Sequence, residues 1–127
     1  MYADTDGKLQ HTKQRKYLVI ADMIISGEHE GPLSPEPKHN GIIALGENPV
    51  SFDEAVSHLM GIKPEYFRTL KYAKAESEYD INYHDGVQPR IISNDARYNG
   101  MAPAEIDRDN LLYFRPADNW EGAFNVH

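Results

Sequence analysis

The chain has 127 residues, the size of one domain rather than two. It carries 13 basic and 20 acidic side chains, a net charge of −7, which argues against a nonspecific nucleic-acid binder and against attraction to anionic membranes. With no cysteine, disulfides, a cysteine-held zinc, a cysteine nucleophile and a cysteine-ligated iron–sulfur cluster are all excluded within this chain.

Apolar residues make up 40% and charged residues 26%, which predicts an ordered domain with a thin core and long loops. No apolar run approaches the ~20 residues of a spanning helix. The N-terminus lacks the apolar centre of a signal peptide, so a cytoplasmic location is expected unless a signal lies upstream.

Residues 1–16 are polar, with a turn at Asp6 and Gly7 and a basic group at Lys13, Arg15 and Lys16. They read as a leader arm. Tyr17 to about Asp22 predicts a strand, rich in β-branched residues and buried on both faces. Residues 26–40 contain three prolines and two glycines, a density that predicts a loop. Gly41–Gly46 reads as a second short buried strand.

Ser51 and Glu54 form a capping box that starts a helix. Its apolar stripe is Phe52, Ala55, Val56, Leu59 and Met60, and Gly61 ends it. Pro64 opens a second helix with Phe67, Leu70, the stem of Lys71 and Ala73 facing inward. It fades into the polar stretch 74–85. After a turn at 86–89, Arg90–Asn94 and Leu111–Phe114 read as third and fourth strands, with a short helix at 103–107 between them. The fold expected is a single α/β or α+β domain of about four strands, two main helices and a long Gly/Pro loop.

Four groups bear on chemistry. Asp22 at a strand end, with Glu28, His29 and Glu30 in the loop and His39 and Asn40 at its close, offers oxygen and imidazole ligands for a divalent cation. No fixed metal spacing such as HExxH accompanies them, and solvated loop charge is the plain alternative. The capped helix start favours an anion, but Asp53 and Glu54 occupy that end. Six histidines and several serines occur without a GxSxG elbow or a phosphate-binding glycine motif; His58, four residues after Glu54, reads as a helix-surface pair. Finally, Tyr98, Tyr113, Phe114, Trp120 and Phe124 form an aromatic C-terminal group, either core or a docking surface.

Residues 20–62 carry a pattern of apolar strand, Asp22, Gly27, Glu28, Gly31, Pro32, Gly41, Pro49, Val50, Asp53 and a helix ending Leu59, Met60 and Gly61. This order resembles the C-terminal part of the family known as domain of unknown function 362, and LLYFRPADNWEGAF is similar to the ending of some longer members. It departs from the family at Ala21 and Met23, which flank Asp22, and at His29. The resemblance implies a C-terminal domain of a longer protein whose relatives often carry iron–sulfur modules.

Two functions are therefore expected. One is part of a metal- or cofactor-dependent enzyme completed by N-terminal sequence outside this chain. There Asp22, Glu28, Glu30 and Asp53 are the metal-ligand candidates, and His29 is a ligand or base. The other is a non-catalytic interaction or scaffolding domain that docks, through the C-terminal aromatic surface, on its missing N-terminal portion or on another protein. Neither nucleic acid nor membrane is expected as a partner.

Overall fold

The computed structural model describes residues 1–75, 77–82 and 89–123. The fold is mixed α/β. Its largest feature is an antiparallel ribbon of two long strands, β1 (Val19–Glu30) and β2 (Ser34–Gly46), followed by helix α1 (Pro49–Met60). A 3-10 turn at Pro64–Tyr66 leads into helix α2 (Arg68–Ala73).

The ribbon corrects the expected loop at 26–40, whose residues continue both strands and leave only 31–33 as the turn. Two-stranded ribbons have only edges, and proline is tolerated where its missing N–H would face away from the partner. Pro35 and Pro37 are two apart and stand opposite His29 and Gly27, so both occupy such outward positions. The His29 N–H turns outward as well and donates to the Arg115 carbonyl at 2.9 Å. Gly27 leaves room for Pro35, whose Cβ would lie 2.8 Å from a side chain at that position.

Between Met23 and Ile25 the register shifts by one, with Asn40 and Gly41 opposite the single residue Ile24. Gly41 takes a left-handed φ of 68°, as a glycine bulge requires. The inner face of the apolar half carries Val19, Ala21 and Met23 of β1 with Ile42 and Ala44 of β2, and Met23 is 6% exposed. The outer face is open to solvent. Burial on both faces, expected from the apolar run, does not occur, because this sheet has only two strands and helices cover only one side of it.

Helix α1 starts earlier than Ser51. Asn48 is its cap, accepting from the N–H groups of Val50 and Ser51 at 3.0 and 3.1 Å, and Pro49 fills the first turn, where no N–H is needed. Gly61, at φ 81°, closes the helix. The N–H of Gly61 donates to His58 O and that of Ile62 to Ser57 O, a Schellman pair. The expected apolar stripe is only half-buried; the face turned fully inward runs through Val50, Ser51 and Ser57. The Ser57 hydroxyl is satisfied by the Asp53 carbonyl at 2.6 Å.

The expected third and fourth strands form no strand pairing among the described residues. Ile91 exchanges single backbone bonds with Met101 and Gly100, while Leu112 and Phe114 donate to the carbonyls of Leu59 and Met60. The 111–114 segment thus serves the open C-terminal carbonyls of α1 rather than a sheet. A short 3-10 turn does form at Pro103–Glu105. The turn expected at 86–89 lies largely, and Phe124 wholly, outside the described residues.

The N-terminal arm folds back through its Asp6–Gly7 turn, and the Tyr2 hydroxyl donates to the Asp80 carbonyl at 2.6 Å. The core is small: Met23, Val50, Ile62, Leu70, Tyr98, Ile106 and Phe114, none of them below 2% exposure. The accessible surface is 9059 Å², against about 6,800 Å² for a compact monomer of this mass.

Candidate functional site

The polar half of the ribbon ends in a cluster of charge. Glu28, whose side chain is 9% exposed, receives three donors: the Arg115 backbone N–H at 3.0 Å, the Arg115 guanidinium at 2.8 Å and the Lys38 ammonium at 3.3 Å. Burial alone would raise its pKa, but these hydrogen bonds and the Lys38 charge outweigh it and hold the carboxyl below the usual range. Arg115 also reaches Glu36, whose carboxyl it lowers by hydrogen bonding. Lys38 spans from Glu28 to the Tyr113 carbonyl and sits over the Phe114 ring.

His29 takes a positive φ of 67°, which turns its ring toward the C-terminal segment. Its Nδ1 lies 3.3 Å from Glu36 and its Nε2 3.6 Å from Asp118. The Asp118 N–H donates to Glu30 Oε1 at 3.2 Å. One ligand atom each from His29, Glu30 and Asp118 lies within 4.8 Å of the others, a spacing one ion can bridge. One imidazole and two carboxylates suit Mn²⁺, Zn²⁺ or Fe²⁺.

Of the sequence candidates, His29 and Glu30 come together here and Glu28 stands beside them, already neutralised by Arg115 and Lys38. Asp22 lies eight residues back along β1, opposite Ile43, and accepts from the Ile24 N–H at 3.0 Å. Asp53 belongs to the second turn of α1, behind the Asn48 cap, where burial pushes its carboxyl above the ordinary value. Neither joins the tip cluster. His58 is half-buried; burial lowers its pKa, and Lys74 rather than His58 holds Glu54, at 2.6 Å. Arg115, Glu36, Lys38 and Asp118 were not legible as site residues. Glu28 and Arg115 are 87 positions apart, and no local spacing announces such a pair.

The apolar half of the ribbon presents a different surface. Leu18, Ile20, Ile24, Ile43 and Leu45 are all exposed, and Ile25 beside the bulge is exposed too. Ile20 stands opposite Leu45 in the register, at 61% and 62% exposure. Of the C-terminal aromatics, Tyr98 and Phe114 are core, while Tyr113 and Trp120 are about half exposed; Trp120 lies against Phe67 with ring centroids 6.1 Å apart. Lys13, Arg15 and Lys16 line an open groove with Gln14, Tyr17 and Glu47.

No helix among the described residues is long and apolar enough to cross a membrane. No family model, curated protein or solved structure matches this chain.

Proposed function

We propose that this chain is a non-catalytic interaction domain that docks a protein partner through the outer face of its β-ribbon. The observation that carries the reading is the exposed aliphatic face of Leu18, Ile20, Ile24, Ile43 and Leu45. Monomers seldom keep so many large aliphatic side chains in water on one surface, and such a face marks an interaction site. The thin core and large accessible surface support it, because a two-stranded ribbon is marginal until something covers it. This reading puts docking on the ribbon rather than on the C-terminal aromatics, because Tyr98 and Phe114 are buried in the core.

A photo-crosslinking residue at position 20 or 45 tests this in the native host. A discrete adduct is expected at both positions and at neither 33 nor 92, where Leu33 and Ile92 are isolated exposed aliphatics. Equal labelling at all four positions would sink the reading.

A second reading, a metal-dependent enzyme site at the hairpin tip, is favoured by the convergence of His29, Glu30 and Asp118. It keeps His29 and Glu30 in the roles the sequence proposed for them and adds Asp118. The longer protein implied by the family resemblance would then supply the remainder of the site. Thermal unfolding in the presence of Mn²⁺, Zn²⁺ or Fe²⁺ tests it. A saturable rise in Tm that disappears in Asp118→Asn is expected, and no rise with any of the three ions refutes it. A chain without cysteine is compatible with a cytoplasmic setting under either reading.

A further inference from the structure

The outer face of the ribbon is not uniformly apolar. Asp22 lies within it, between Ile20 and Ile24 along β1 and opposite Ile43 across the ribbon. Among the described residues its carboxylate accepts one hydrogen bond, from the Ile24 N–H, and no lysine or arginine pairs with it. It is open to water. A partner that covered the neighbouring aliphatics would strip that water away, and a carboxylate buried without a counter-charge opposes binding strongly. An occupant that brings a cation to this point offsets that cost.

The rest of the molecule favours the same kind of occupant. A net charge of −7 attracts a basic partner and repels a second acidic copy. A two-fold pairing of this face would also bring Asp22 toward its own symmetry mate. We infer that the partner seated on the ribbon is a polypeptide segment presenting one lysine or arginine flanked by aliphatic side chains, with Asp22 as the counter-charge. This rests on the docking reading above.

A displayed library of random twelve-residue peptides, selected in parallel on the wild-type chain and on Ile20→Ser, Leu45→Ser and Asp22→Asn, tests it. All three positions are exposed, and circular dichroism confirms that each variant is folded. The expected result is enrichment of peptides with a basic residue among aliphatics. Their binding should be lost on Ile20→Ser and Leu45→Ser and weakened at least about thirtyfold on Asp22→Asn.

Peptides that need Ile20 and Leu45 but carry no basic residue, or bind Asp22→Asn equally well, would overturn the inference and leave the docking reading standing. Peptides indifferent to Ile20 and Leu45 would bring down both. Sedimentation of the wild-type chain as a dimer that Ile20→Ser dissociates would assign the face to a second copy and overturn the basic partner.

Discussion

At the scale of single residues, the chain makes most of its long-range polar contact through a few side chains at the hairpin tip. Glu28 is the clearest. Its folded pKa is depressed, so the stability it contributes is fully present above its ordinary value of 4.5 and is lost as pH falls through the lower folded value. Chemical denaturation between pH 7 and pH 3 should therefore show a loss that Glu28→Gln reduces. At neutral pH that substitution should cost on the order of 1 kcal/mol, because Arg115 and Lys38 keep a weaker acceptor. An unchanged acid profile would mean that the tip contacts carry no net stability. The sequence located Glu28, His29 and Glu30 as a group of interest because they are adjacent. It did not locate Arg115 or Asp118, since their partnership is created by chain closure and leaves no trace in spacing.

At the scale of elements, local chemistry fixed the ends of α1 more firmly than its packing. Gly61 was readable as the stop because only glycine enters the left-handed region without strain, and Gly61→Ala should lose about 1 kcal/mol of unfolding free energy. The true start, Asn48 followed by Pro49, competed with an equally well-formed Ser51/Glu54 box. Asn48→Ala should cost about 1 kcal/mol in the same assay, the loss expected of a helix N-cap; no loss would overturn Asn48 as the cap. Gly46 marks where β2 meets α1. A side chain there would lie 2.7 Å from the Phe52 ring, so Gly46→Ala should cost about 1–3 kcal/mol. The prolines at 35 and 37 misled the reading of 26–40 because a count of breakers does not reveal that both fall on outward-facing positions of one edge strand.

At the scale of the whole molecule, the docking reading proposed above puts stability and binding on opposite faces of the same ribbon. Met23 on the inner face is 6% exposed and Ile20 on the outer face is 61% exposed. Met23→Ala should cost about 2–5 kcal/mol, whereas Ile20→Ser with Leu45→Ser should change stability by less than about 1 kcal/mol. Equal losses in thermal unfolding would show that the outer face is part of the folding core of the isolated chain.

The sequence by itself determined that the chain is acidic and cysteine-free and mixes helix with strand, where its first strand begins its apolar run, and where α1 stops. These are local properties, set by composition, periodicity and backbone preference. Only the tertiary structure decided that the Gly/Pro stretch is a hairpin, that 111–114 serves a helix end rather than a sheet, and that Asp22 and Asp53 stand apart from His29, Glu30 and Asp118. Each of those outcomes depends on which distant segment takes up a free hydrogen-bonding group or leaves a face uncovered. An apolar strand reads the same along the chain whether helices cover one of its faces or both.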